Sequence, residues 1–192
     1  MVQANEPDAW TEKFLVTLQP KGGTAVNYYA DIISYSGSGG DKDFTEVANG
    51  KGGYIKKFSP QTAFEITLEG YFTEVGNGKG VYDYFYSTTA DSTQPLSFAS
   101  DGTHELMLLS ICQTTDTSMT SAISASAQDQ RAIRDTYKNG HIVSVTESFT
   151  DNSRKTTIKF KVTPADKNAS SNVTNESTDG SATSPLPVIS YT

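Results

Sequence analysis

Residues 131–162 read RAIRDTYKNGHIVSVTESFTDNSRKTTIKFKV, and this stretch decides the fold class. Residues 130–137 run into Lys138-Asn139-Gly140 and then into residues 141–149. Asn-Gly readily takes the positive φ angles of a two-residue hairpin turn, so the spacing predicts two antiparallel strands joined at Asn139-Gly140. A third strand is expected over 157–163, where Ile158, Phe160 and Val162 alternate with Thr157, Lys159, Lys161 and Thr163. That alternation puts an apolar row on one face and a polar, charged row on the other. Thr150, Asp151, Asn152 and Ser153 form the turn between them. The result is a β meander with almost none of the side chains that catalysis requires.

Upstream, residues 62–75 set Phe64, Ile66 and Leu68 against Ala63, Glu65, Thr67 and Glu69 in strict period two. Gly70, just before Tyr71 and Phe72, marks a bulge or bend. Shorter strands are expected at 14–19, 28–35 and 54–58. Residues 104–114 are apolar on both parities, through Leu106, Met107, Leu108, Leu109, Ile111 and Cys112, as expected of a core strand buried on both sides. Helix is expected only at 80–87, around Val81, Tyr82, Tyr84 and Phe85, and in the Ala/Ser-rich residues 118–134, which read equally as a loop entering the next strand.

A chain of 192 residues is long enough to bury a core without covalent staples. The net charge of −7 opposes a stationary nucleic-acid binder, whose footprint is basic, but allows an acidic wall past which nucleic acid slides. Cys112 is the single cysteine, so no intrachain disulfide forms, and its apolar neighbours mark it as a buried hydrophobe. The polar, acidic residues 1–8 lack the pattern of a signal peptide, and no run is apolar enough to span a membrane, so assembly in a cytoplasm is expected. Two regions depart from globular composition. Residues 34–53 hold six glycines and read as a long loop, or a hairpin with a mobile tip. Residues 165–192 contain 13 Ser, Thr or Asn among 28 residues, a composition that predicts disorder, yet they end in Leu186-Pro187-Val188-Ile189-Ser190-Tyr191, an apolar patch suited to adding onto a neighbouring edge.

Chemical motifs are sparse. His104 and His141 both stand beside turns, and a Cys112–His pair would need a polar, electropositive thiol that Leu108-Leu109-Ser110-Ile111 does not provide. No zinc-ligand spacing occurs, so no metal or cofactor is expected. Asp41-Lys42-Asp43 fails the calcium-loop pattern at Thr45, Glu46 and Gly52, and Gly76-Asn77-Gly78-Lys79-Gly80 fits neither phosphate-loop spacing. Lys51, Lys56 and Lys57 with Tyr54 and Phe58 could touch phosphates or bases, although lysines guarding a strand edge explain them more simply. Asn168, Asn172 and Asn175 open formal glycosylation sequons of a kind that arises by chance in a tail this rich in Asn, Ser and Thr.

The order of these elements is itself informative. An N-terminal strand pair, a Gly-rich extended loop, the strand at 59–72, a short helix at 81–85 and the strands of 131–162 together resemble the major tail tube protein of tailed viruses, over roughly residues 10–163. The resemblance implies a mainly β protomer, an antiparallel β-sandwich or half-barrel, with residues 1–163 as the tube-like domain and 164–192 as an extension. It implies closure into a hexameric ring, stacking into a tube through which DNA passes, no catalytic residues, and a place in the virion tail alongside tape-measure and terminator or baseplate proteins. Within that frame Asp41, Asp43, Phe44 and Tyr54 are candidates for ring stacking. Glu65, Thr67, Glu69, Ser144, Thr146 and Ser148 are candidates to face the lumen, and Leu186, Val188, Ile189 and Tyr191 to dock the C-terminus. A tube protein of a contractile injection system and a non-catalytic binding or adhesion module are the competing readings.

Overall fold

The computed structural model describes residues 13–76, 78, 80–85, 106–150, 153–165, 171–180 and 184–192. Among these residues nine strands and one short helix follow in the order β1 (Lys13–Pro20), β2 (Val26–Ser38), β3 (Phe44–Ala48), β4 (Tyr54–Phe58), β5 (Phe64–Glu74), α1 (Val81–Phe85), β6 (Met107–Thr114), β7 (Arg131–Thr150), β8 (Ser153–Val162) and β9 (Val173–Asp179). The expected mainly β, antiparallel architecture is what forms. Seven strands make one sheet in the order β6-β1-β2-β5-β8-β7-β9, and β6 also pairs with β7, so six of them close a barrel within one chain. Closure removes six strands' edges, and β9 is left as the outermost strand of the sheet.

The interior follows from the period-two rows. Ile66, Leu68 and Phe72 of β5 meet Ile158, Phe160 and Val162 of β8, together with Val16, Leu18, Tyr28, Met107, Leu109 and Ile142. Val81 and Phe85 pack α1 onto the same cluster. Each large apolar side chain so buried contributes about 1.5–3 kcal/mol.

The hairpin expected at Asn139-Gly140 is not there. β7 runs through that pair as one twenty-residue strand. Before the pair it is held by β6 and β9, and after it by β8. Asn139 does take the positive φ foreseen for it, 57°, but spends it on a corner of the barrel. Gly140 is required there, because a Cβ on it would lie 2.4 Å from the Phe160 ring and 2.7 Å from the Lys161 carbonyl oxygen. A local turn signal has been overruled by partners distant in sequence, which offer each half of the strand a full ladder. The irregularity expected at Gly70 falls in β2 instead, because β5 keeps its in-out alternation straight through Gly70. Its missing side chain admits the Asp31 carbonyl oxygen, 2.4 Å from a notional Cβ, and the register of β2 slips between Ile32 and Ser34 opposite it.

The double-sided burial of β6 also has a structural cause. One face looks into the barrel, and the other carries Cys112 into a second cluster with Leu15, Met119, Ala122, Ala132 and Leu186. That outer layer consists of the irregular residues 115–130, which form turns rather than the helix considered for them, and of residues 184–192. The disorder expected from composition beyond residue 165 is likewise overturned for residues 171–180 and 184–192. β9 lies antiparallel on β7, and the terminal residues pack on the barrel. His104, Asn168, residues 1–8, Asn77, Lys79 and the turn residues Asp151 and Asn152 lie outside the described residues.

Replacing Gly140 with alanine should strain this corner and cost about 1–3 kcal/mol. For a chain of this size that lowers the melting temperature by roughly 2–4 °C per kcal/mol, readable by thermal denaturation followed by circular dichroism. Unchanged melting would refute the packing argument.

Candidate functional site

Three surfaces gather the residues singled out by the sequence. The first is the β3–β4 hairpin, a separate two-stranded sheet whose ten strand residues are all exposed. Antiparallel pairing puts Phe44 opposite Phe58 and Ala48 opposite Tyr54 on one face, and Val47 opposite Ile55 on the other. The first face is thus apolar at both ends with Glu46 opposite Lys56 between them, and the second sets the Val47–Ile55 pair beside Thr45 and Lys57. The Phe44 and Phe58 rings stand 5.9 Å apart, and Lys56 reaches across the Phe44 ring to lie 3.4 Å from Glu46. Of the stacking candidates, Phe44 and Tyr54 share one face, while Asp41 and Asp43 lie in the stalk. There the Asp41 N–H donates to Thr62 Oγ1 and the Asp43 N–H to Ser59 Oγ. Val47, Ile55 and Phe58, 44%, 51% and 66% exposed, belong to the same surface. β3 escaped sequence reading because it is only five residues long and sits among glycines.

The stalk begins at Gly39 and Gly40, both at positive φ. A Cβ on Gly39 would meet the Ala63 carbonyl oxygen at 2.1 Å, and one on Gly40 the Phe64 ring at 2.4 Å. These two glycines let the chain leave β2 tightly against the start of β5.

The second surface is the outer face of β5, β8 and β7. Glu65, Thr67 and Glu69 are half-buried on β5, opposite the buried Ile66 and Leu68. Cross-strand registers carry the row from Thr67 to Lys159 to Ser144, and from Glu69 to Thr157 to Thr146, with Ser148 opposite Lys155. All six lumen candidates thus lie together on a face outside the subunit core. The face is not simply acidic, because Lys155 bonds Glu69 at 2.6 Å and Lys161 lies 3.8 Å from Glu65. The hydrogen bond from Lys155 to Glu69 raises the pKa of that lysine.

The third surface is the C-terminal segment, and its geometry depends on a residue that sequence reading passed over. Leu15, Cys112, Arg134 and Glu176 stand side by side across β1, β6, β7 and β9. Arg134 is fully buried. Its Nε and Nη2 both donate to Glu176 Oε2, at 2.8 and 2.5 Å, while Nη1 donates to the Ser124 carbonyl at 3.0 Å and Nη2 to the Pro187 carbonyl at 2.7 Å. One guanidinium therefore ties together β9, the 115–130 layer and the tail, as its planar fork of donors permits. Leu186 and Tyr191 are buried, Ile189 N–H donates to the Ile123 carbonyl, and Val188 is exposed. Tyr191 Oη donates to Asn139 Oδ1, and Asn139 Nδ2 donates to Oδ1 of the buried Asn172. Leu186, Ile189 and Tyr191 thus sit against their own chain while Val188 faces outward, and the Asn172 sequon is folded into the barrel corner.

Asp116 organises the same layer. Burial would raise its pKa, but Ser118 Oγ, Ser118 N–H and Ala127 N–H donate to its carboxylate at 2.6, 2.9 and 2.7 Å, and with a bond involving Met119 they hold it below the usual carboxylate value. Cys112 lies beneath. Burial pushes its thiol up to about 12, which leaves it protonated and inert at neutral pH. Among the described residues no group of three or more His, Cys, Asp or Glu could hold a metal ion.

No family model matches the chain, and no curated protein matches it. Solved structures similar to it include the sheath/tube terminator of an extracellular contractile injection system, PVC, in the extended state (16% identity, TM-score 0.49, covering 92% of this chain and 99% of that one). The tube-terminating cap of the anti-feeding prophage is similar at 15% identity and TM-score 0.43, over 93% and 96% of the two chains. The Hcp1 protein of the E. coli EAEC 042 pathovar is similar at 8% identity and TM-score 0.40, over 85% and 97%.

Two outcomes follow from the outer layer. Arg134→Met should orphan the carbonyls and the carboxylate it serves, costing about 1–3 kcal/mol, and should speed alkylation of Cys112 in the native protein. Alkylation no faster than in the parent would contradict the tie. Because Asp116 has its pKa depressed by folding, its stabilisation is present above the unfolded value of about 3.9 and is lost as pH falls through the folded value. The parent should therefore lose stability below about pH 4 more steeply than Asp116→Asn, measured by urea denaturation at each pH.

Proposed function

We propose that the protein is a structural subunit of a tail-type tube, whose copies close hexameric rings that stack into a channel for DNA delivery. The observation that carries this reading is the projecting hairpin. A two-stranded sheet standing alone in water is marginally stable, and one with Phe44, Val47, Tyr54, Ile55 and Phe58 exposed invites burial against another molecule. Identical copies offer identical hairpins, and a repeated head-to-tail contact between different patches generates rings or filaments. The element order that resembles a tail tube protein supports the same reading. So does the outer face of β5, β8 and β7, where Glu65 and Glu69 offset Lys161 and Lys155 and would leave a lining with little hold on phosphate. Assembly in a host cytoplasm, a location in the virion tail, and tape-measure and terminator or baseplate proteins as further partners belong to this proposal, as does the absence of catalysis.

A second reading, a tube of a contractile injection system that carries no DNA, is favoured by the lysines on that face, since a wall passing DNA gains nothing from Lys159. The two share the same assembly and differ only in cargo.

Negative-stain electron microscopy across a concentration series tests the common part. Rings or tubes with a central channel are expected, and a monodisperse monomer at every concentration would overturn the reading. In the double variant Phe44→Ser, Phe58→Ser, the melting temperature should hardly move, because both rings are exposed, while stacked tubes are lost. Tubes of normal length would remove the hairpin from the stacking contact.

A further inference from the structure

The barrel leaves one ladder unfinished. β9 is held on β7, and the Lys138 N–H donates to the Asn172 carbonyl at 2.7 Å. Strand alternation then points the backbone groups of Thr174, Glu176 and Thr178 at β7, and those of Asn175 and Ser177 the opposite way. Arg131 confirms the phase from the far end, since its carbonyl accepts from Thr115 N–H on the side of β6. The start of the outer edge is capped within the chain, where the Ser171 hydroxyl donates to the Val173 carbonyl at 2.7 Å. At Asn175 and Ser177, both exposed, no described strand completes the ladder. Val173–Asp179 contains no proline, lysine or register slip to guard that edge, and its charges are Glu176 and Asp179.

The hairpin presents a matching edge. Ser59 N–H donates to the Asp43 carbonyl at 2.7 Å and Asn49 N–H to the Gly53 carbonyl at 2.8 Å, so Ile55 and Lys57 face β3 while Tyr54, Lys56 and Phe58 face outward. β4 carries Lys56 and Lys57 and no anion. β9 carries Glu176 and Asp179 and no cation, and β3 carries Glu46, a like charge for β9.

We infer that β4 of one copy adds antiparallel to β9 of a second copy, with Lys56 opposite Ser177 and Phe58 opposite Asn175. This inference rests on the self-assembly proposed above and names the edges that meet. The register brings the outward backbone groups of both strands into hydrogen-bonded pairs and sets Lys57 directly across from Glu176. Donor edge and acceptor edge are different, so each copy can give and receive at once and the contact propagates.

Disulfide mapping on the full chain tests this. Hydrogen-bonded antiparallel partners lie about 5.5 Å apart at Cα, within disulfide reach. Chains carrying Lys56→Cys are mixed with chains carrying Ser177→Cys, assembled and oxidised, and the linked peptides are identified by mass spectrometry. The pair 56–177 should cross-link in excess over the off-register pair made by Tyr54→Cys with Ser177→Cys. Ser177→Pro, which removes only an outward N–H, should keep the parental melting temperature and lose the assembly, as well as the slowed amide exchange of residues 173–179 that assembly brings. If the parent assembles and the 56–177 link does not form, or Ser177→Pro assembles normally, the strand pairing is overturned and the tube reading stands. If the parent does not self-associate at any concentration, both fall.

Discussion

The structure depends on a single strand serving three partners. β7 must complete the β6 ladder and carry β9 along its first half, then turn and complete the β8 ladder along its second. The turn is possible because Asn139 accepts a left-handed backbone and Gly140 leaves room for the Phe160 ring. Closure of the barrel, the single apolar interior and the placement of β9 all follow from that corner. A hairpin at the same residues would have satisfied local turn chemistry, but it would have left the β6 and β8 edges open, and an open edge leaves a row of backbone groups without partners.

Around the closed barrel the chain adds a polar-mortared outer layer. Its apolar content is small, a cluster of six residues that includes Cys112 and Leu186, so directional bonds do much of the fastening. Arg134 and Asp116 are the two hubs. One is a cation that collects carbonyls and a carboxylate, the other a carboxylate that collects N–H groups. Buried polar networks of this kind are costly when incomplete and rigid when complete, which explains how a Ser/Thr/Asn-rich terminus becomes ordered without a core of its own. A further polar cluster lies beside the barrel, where Tyr35 Oη and Tyr137 Oη share a hydrogen bond and Asp135 accepts from Asn175. Burial first, then that shared bond, pushes the Tyr35 hydroxyl far above its ordinary pKa.

Stability is therefore divided unevenly. The barrel and its outer layer are anchored by long ladders and buried clusters, whereas the β3–β4 hairpin is held by one ladder, the Phe44–Phe58 contact and a weak Lys56–Glu46 pair exposed to screening. Elements with few buried contacts are the ones free to reorganise on meeting a partner. The proposed assembly assigns the hairpin that task while the barrel supplies a fixed platform.

What the sequence determined by itself was whatever depends on side-chain period. Alternation at Phe64–Leu68 and Ile158–Val162 specified which faces are buried, the two-sided apolar run at Met107–Cys112 specified the central strand, and Tyr54–Phe58 was legible with its bounds. The shared outer face of Glu65, Thr67, Glu69, Ser144, Thr146 and Ser148 was legible for the same reason. The tertiary structure alone decided what depends on which strands meet. Asn139-Gly140 became a corner because two distant ladders outweighed one turn. The polar Val173–Asp179 became a strand because β7 had an open edge beside it, and Arg134, unremarkable in its alternating context, became a hub because three segments far apart in sequence converge on it. Period is a local property of the chain, whereas pairing is set by the free energy of the whole sheet.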